Sequence, residues 1–317
     1  MSGESVVKRG FVRYLVLVID CSLSCLDNDF KPNRLSVCKT GLTSFVPQFL
    51  NDNSLSQIAI INCKDGKAHK SCTFLSESKS ILSSINSLEV GSGQFSLQNC
   101  LKLASHMFLS VPEYASREVL FLTSTLSSID PDNVFDAVAT IKSMLIRTFF
   151  ISLSASIYLF EKTASETNGW IKVLLDQNSI APTLSLLLPP PPSLYEASLM
   201  IEMGFPKKKE PALVHLDVTS TPVMAEFECP KCLSLVDSLP SRCPVCSLHL
   251  ASSFNLIQAS HHLYPLPNAS VVDVTGQECV GCTGDVDVCY ECDHCKKVFC
   301  SECRMFMKEV LLTVQDV

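Results

Sequence analysis

Val12-Arg13-Tyr14-Leu15-Val16-Leu17-Val18-Ile19-Asp20 is a β-branched, almost wholly apolar run that ends on a carboxylate. It is apolar on both of the faces a strand presents, so it reads as an interior strand of a parallel sheet with a loop at its carboxyl end. A helix is expected next. From Asn33, the residues Leu35, Cys38, Leu42, Phe45, Val46 and Phe49 recur mostly at intervals of three and four, which leaves one face to cover a sheet. Gly41 and Pro47 within that run predict a bend or an early end.

The alternation continues along the chain. Strands are expected at residues 57–63 (QIAIINC), 118–123 (EVLFLT), 147–153 (RTFFISL) and 170–175. Helical spacing fills the intervals: Leu82, Ile85 and Leu88; Leu97, Leu101, Ala104 and Phe108; Val134, Val138, Ile141 and Leu145; and residues 158–167 before the turn Asn168-Gly169. Strands alternating with helices need crossover connections, so the expected class is α/β, a doubly wound and mostly parallel sheet over residues 1–188. Pro189 to Pro192 then end the domain, because four prolines favour an extended spacer over a helix.

The chain has 317 residues, 47% of them hydrophobic, and a net charge of −7. That composition suits a globular protein with a filled core and argues against broad phosphate-driven nucleic-acid binding. No apolar run approaches the ~20 residues of a membrane-spanning helix, and the basic start before residue 14 lacks a small-residue cleavage site. Six cysteines are scattered through the first hundred residues, and eleven follow Glu228. An odd total of 17 with paired C-x-x-C spacing favours a reducing compartment and metal over a disulfide framework.

At the carboxyl end of the first strand, Asp20-Cys21-Ser22-Leu23-Ser24 has the spacing D-x-S-x-S. It resembles the metal-ion-dependent adhesion motif of von Willebrand factor A domains, and Ser96 stands where that family supplies a third hydroxyl. Such oxygens suit Mg²⁺. Ser124 stands where the family has an acid, so the alternative is that Asp20 and Ser22 hold loop ends together. Neither a phosphate-binding glycine motif nor a nucleophile elbow is present, and His69 and His106 are isolated. The domain reads as a protein-binding platform.

After the prolines, residues 189–225 form a linker in which residues 195–205 are expected to make a docking helix, and Lys207-Lys208-Lys209 a solvated charge run. In residues 226–250, Cys229-x2-Cys232-x10-Cys243-x2-Cys246 has the spacing of a four-cysteine zinc ribbon. Four thiolates leave zinc no open position, so this metal is expected to be structural.

Longer strings are more individual: Arg9-Gly10, Asp29-Phe30-Lys31-Pro32-Asn33-Arg34-Leu35, Ser56-Gln57-Ile58, Ser116-Arg117-Glu118-Val119-Leu120, Met203-Gly204-Phe205-Pro206 and Ser260-His261-His262-Leu263-Tyr264-Pro265-Leu266. With the order A domain, proline linker, finger and cysteine-rich end, the chain resembles the subunit-two family of general transcription factor IIH. The resemblance implies a nuclear, non-catalytic core subunit of a transcription and nucleotide-excision-repair complex. Its A domain would bind and stimulate an XPD-type DNA helicase, its zinc modules would hold other core subunits, and DNA would be reached only through the complex.

Residues 251–317 resemble a RING-type cross-brace. Cys279 and Cys282 would share one zinc with Cys300 and Cys303, while Cys292 and Cys295 lack a partner pair, since residues 304–317 contain neither Cys nor His. Cys289 or His294 lies too close in sequence to complete a relaxed tetrahedron. One zinc is therefore expected in this module, with the second site absent or imperfect, and the pair His261-His262 is expected to serve packing or a surface contact. The competing function is a RING-type ubiquitin ligase. Direct DNA binding has little support, because the ribbon carries only Lys231 and Arg242 against Asp237.

Overall fold

β1 (Arg13–Asp20) is buried at all eight positions. The computed structural model describes residues 10, 12–194, 201–214, 223–260, 269–272, 277–286, 289–292 and 295–307, and it places β1 in the interior of a six-stranded sheet. The other strands are β2 (Gln57–Lys64), β3 (Lys67–Leu75), β4 (Ser116–Thr123), β5 (Ile146–Ser152) and β6 (Trp170–Val173). Their order is β3-β2-β1-β4-β5-β6. All neighbours are parallel except the β2–β3 hairpin at one edge. This is the expected doubly wound, von Willebrand A-type sheet.

Alternate residues of β1 feed two layers. Leu15, Leu17 and Ile19 meet α1 (Arg34–Asp52), α2 (Ser78–Asn86) and α6 (Ile180–Ser185) on one face. Tyr14, Val16 and Val18 meet α3 (Leu97–Phe108), α4 (Val134–Ser143) and α5 (Tyr158–Glu166) on the other. Phe121 of β4, Phe150 of β5 and Phe160 of α5 stack in series at centroid separations of 4.6 and 5.0 Å. Side chains of that size dominate the burial of such a core.

Two local expectations change. α1 continues through Gly41 and Pro47 to Asp52. Proline removes one hydrogen bond, but Phe45, Val46 and Phe49 around it are buried and hold the turn. A Cβ at Gly41 would come within 2.8 Å of Ile180, so its absence admits α6. The strand β3 has no counterpart among the strands expected from sequence: only Cys72 along it is buried, which erases the apolar signal. The clue was the turn Asp65-Gly66, both residues at positive φ, a hairpin signature.

The amino-terminal edge of the sheet is closed by an ion pair. Arg13 donates from Nε and Nη2 to Glu118 at 2.9 and 2.7 Å, from Nη1 to Asn53 Oδ1 and the Leu188 carbonyl, and from Nη2 to the Leu187 carbonyl. All five of its donors are thereby used, and the guanidinium lies 4.6 Å above the Phe49 ring centroid. The end of the A domain is thus tied to its first strand.

By its contacts the chain divides into two compact units, residues 1–259 and 260–317. In the first, β7 (Met203–Gly204), β8 (Lys207–Val214), β9 (Val223–Glu228), β10 (Leu235–Val236), β11 (Ser241–Arg242) and β12 (His249–Leu250) form two three-stranded sheets, β10-β9-β8 and β11-β12-β7. Of the docking helix expected at 195–205, residues 195–200 lie outside the described residues and Met203–Gly204 is strand. A Cβ at Gly204 would meet Leu248 at 2.7 Å and Pro230 at 2.8 Å, so only glycine lets this strand approach the ribbon. The ribbon sits on the A domain through Ser76 Oγ to the Pro240 carbonyl (2.6 Å) and Arg242 Nη1 to the Ser110 carbonyl (3.0 Å). α7 (Ser253–Ser260) follows.

The second unit holds β13 (Ala269–Val272), β14 (Gln277–Glu278), β15 (Asp285–Val286), β16 (Cys289–Cys292), β17 (Val298–Phe299) and α8 (Ser301–Phe306), arranged as a β13-β16-β17 sheet and a β14-β15 pair. Among the described residues, no helix is long and apolar enough to cross a membrane.

Candidate metal centres

Four C-x-x-C segments share one hydrogen-bond pattern. In each, the N–H of the residue after the second cysteine donates to the carbonyl of the first: Leu233 to Cys229, Ser247 to Cys243, Thr283 to Cys279 and Lys296 to Cys292, at 2.7–3.0 Å. The N–H of the first cysteine donates in turn to the carbonyl five residues on, at 2.9 Å each time (Ser234, Leu248, Gly284, Lys297). The residue after the second cysteine has a φ of 62, 59, 57 and 57° respectively. A left-handed residue that is not glycine is uncommon; here it curls the backbone so that its amides face sulfur.

Two of these turns meet each other, and the Cys279 turn meets the start of α8. Cys229, Cys232, Cys243 and Cys246 bring their Sγ atoms within 4.8 Å of one another, as do Cys279, Cys282, Cys300 and Cys303. Individual separations are 3.6 Å for Cys229–Cys246, 3.4 Å for Cys232–Cys243 and 3.8 Å for Cys282–Cys300. A disulfide needs ~2.05 Å, and none of the 17 cysteines is in a disulfide. A tetrahedron of thiolates ~2.3 Å from zinc has an edge of ~3.8 Å. The donor set and the spacing fit that metal.

Local hydrogen bonding favours the thiolate at Cys243 and Cys279, while the neighbouring sulfurs push Cys246 up to about 12 and raise Cys282 and Cys303. Burial raises the Cys243 pKa, but the amides of Cys246 and Val245 and the Ser234 hydroxyl outweigh it and bring the thiol down to about 6. At Cys279 burial is likewise outweighed, by the N–H groups of Cys300, Cys282 and Gly281, and the value falls to about 6. The thiolate is the ligand form. In the second cluster, Cys300 caps α8 by accepting from the Cys303 N–H. A Cβ at Gly281 would lie 3.0 Å from Cys303 Sγ, so that glycine lets the first turn reach the helix.

Cys292 makes the same two backbone hydrogen bonds as the first cysteine of the other segments, yet Cys292 and Cys295 belong to no cluster of three or more ligands among the described residues. Cys289 is buried on β16. His294, His261 and His262 lie outside the described residues. His69 and His106 are exposed and belong to neither cluster. Lys231 pairs with Glu202 at 3.2 Å, and Lys208 and Lys209 face Glu226 and Glu228 across the β8–β9 pair, so the basic run is neutralised locally.

At the carboxyl end of β1, Asp20 Oδ1 accepts from the Ser22 N–H and Oδ2 from the Ser124 N–H, both at 2.9 Å. The carboxylate thus ties β1 to the loop after β4. Burial raises its pKa, opposed by these hydrogen bonds and by Arg34. Ser96 Oγ donates to Asp130 at 2.8 Å and caps α3. Ser24 is half-buried.

Comparison with known proteins agrees with this architecture. A family model described as Ssl1-like matches residues 18–206. General transcription factor IIH subunit 2 of Dictyostelium discoideum is 30% identical over 326 residues, covering 98% of this chain and 70% of that protein. The Arabidopsis thaliana protein of the same name is 31% identical over 96% of this chain and 77% of its own length, and that of Caenorhabditis elegans is 32% identical over 96% and 83%. The chain belongs to the Ssl1-like family of general transcription factor IIH subunit 2 proteins.

Proposed function

We propose that this chain is a non-catalytic core subunit of the transcription factor IIH assembly, acting in the nucleus in transcription and nucleotide excision repair. The observation that carries this reading is the match to subunit 2 proteins over nearly the whole chain. In it, the A domain of residues 1–188 binds an XPD-type helicase and stimulates it. The linker 189–225, the ribbon 226–250 and the terminal module 251–317 hold neighbouring core subunits, and DNA is reached through the complex.

Zinc is the cofactor that the thiolate clusters suit. Cys229, Cys232, Cys243 and Cys246 would hold one ion, and Cys279, Cys282, Cys300 and Cys303 another, with Cys292 and Cys295 presenting a further pair. A closed four-thiolate shell staples a turn and leaves no position for water. The residues around it do the work of shape: the amides facing Cys243 and Cys279 stabilise thiolate, and Gly204 and Gly281 admit the neighbouring segments. Asp20, whose two oxygens are engaged by backbone amides, braces the loops of a binding platform.

The test is reconstitution with the helicase. Adding the chain is expected to raise the helicase's ATPase and unwinding rates, while the chain alone hydrolyses nothing. An unchanged rate in a complex shown to form by gel filtration rejects the reading.

A further inference from the structure

The amino-terminal edge of the sheet buries two arginines and treats them differently. Arg13 has five donors bonded and a carboxylate partner. Arg147, on β5, is only 6% exposed; its Nη2 donates to the Pro192 carbonyl, and its Nε has no partner. Glu118 is spent on others: Oε1 accepts from Arg13 Nε and Ser116 Oγ, and Oε2 from Arg13 Nη2. Among the described residues no carboxylate pairs with Arg147. A guanidinium does not shed its proton, so the burial of Arg147 carries a desolvation cost that Glu118 offsets only from a distance, with Arg13 acting against it. The neutral proline carbonyl does not compensate that charge.

Arg147 opens on a cavity of about 190 Å³ whose lining includes Tyr114, Arg117, Ser143, Met144 and Ser193. Arg117 brings a second guanidinium, with Nη1 on the Met144 carbonyl (3.2 Å), Nη2 on the Val111 carbonyl (3.0 Å) and Nε unpartnered. The acid at the rim, Glu113, is exposed. The charges acting on Arg147 are Glu118 and Arg13, of opposite sign, which leaves the site net positive.

We propose that this cavity is an anion pocket that receives a glutamate or aspartate side chain from a protein partner. Arginine presents a planar fork matched to a carboxylate, and Tyr114 and Met144 offer apolar walls for the methylene stem. The volume of this cavity is below the ~300–1,000 Å³ of small-molecule sites, which favours a side chain over a nucleotide as its occupant, although Arg147 also lines a neighbouring cavity of about 550 Å³. Phosphate wants more donors than the pocket has to give, because Ser143 Oγ already donates to the Thr140 carbonyl and Ser116 Oγ to Glu118.

The test uses the full chain labelled with ¹⁵N, following the Arg147 Nε–H resonance at constant ionic strength. Titration with a hexaglutamate peptide is expected to move it saturably, hexaglutamine to leave it in place, and Arg147→Gln to weaken peptide binding at least tenfold. Ser143→Glu, from the exposed end of α4, supplies the carboxylate internally. It should melt roughly 2–4 °C above Ser143→Gln and no longer respond to the peptide, a readout that stands even where Arg147→Gln fails to fold. The proposal is overturned by an unmoved Nε–H, by inorganic phosphate giving the same shift at equal concentration, or by Ser143→Glu melting no higher than Ser143→Gln.

Discussion

In the A domain, β1 alone buries Leu15, Leu17 and Ile19 on one face and Tyr14, Val16 and Val18 on the other, against three helices each. The ribbon's buried apolar set is Val236, Leu248 and Leu250 beside the thiols of Cys229 and Cys243. The first region has area enough to offset the entropy of ordering its chain; the second does not, and small domains of that kind lean on metals. The same hydrogen-bond pattern, used four times, is the device that replaces a core.

The sharpest way to break this contrast is metal removal. A strong chelator, or Cys243→Ser, is expected to unfold the ribbon, since structural zinc supplies an apparent ~10–16 kcal/mol in such modules. Hydrogen exchange should show protection lost over residues 226–250 and kept in β1 and β4. Loss in both would mean that the A domain too depends on metal.

Arg13→Ala tests the other side. It leaves Glu118 buried without its bonded counter-ion, at a cost of roughly 3–5 kcal/mol, with bound zinc per chain unchanged. A urea midpoint close to that of the parent protein would show the ion pair to be dispensable.

His249 stands in the ribbon strand β12 at 2% exposure, with neither ring nitrogen bonded. Burial, with Arg242 adding to it, brings its pKa down to about 4. Between that value and an unfolded pKa near 6.5, the unfolded chain holds a proton that the folded chain does not. Its contribution is therefore complete above pH 6.5 and is lost as pH falls toward 4, amounting to ~2 kcal/mol between pH 7 and 5. His249→Phe should remove that part of the slope; urea titrations of both proteins at the two pH values, giving equal slopes, would contradict it.

The smallest effect is expected at Asp20. Asp20→Asn turns an amide toward the N–H of Ser22 or Ser124 and should cost about 1–3 kcal/mol, seen as a lower melting temperature with the fold retained.

Much of this was legible in residues. The two-faced apolar run of β1 required a covered parallel sheet, and the spacing of Cys229 to Cys246 brought four thiols together because two residues between cysteines leave room for one tight turn. What escaped was of another kind. β3 has too little buried surface to mark it, α1 outlasts its proline because long-range packing overrides one lost hydrogen bond, and nothing about Leu233, Ser247, Thr283 or Lys296 as residue types announces positive φ. Above all, Arg13 and Arg147 look alike in sequence. Each sits at the start of an apolar strand, and a charge has no sign of its partner until strands 105 residues apart, as Arg13 and Glu118 are, lie side by side. Local pattern determined the strands, helices and thiolate turns, since those are set by neighbours within a few residues. Which buried charge is paired and which is left open was decided only by the tertiary structure, because pairing depends on distance in space.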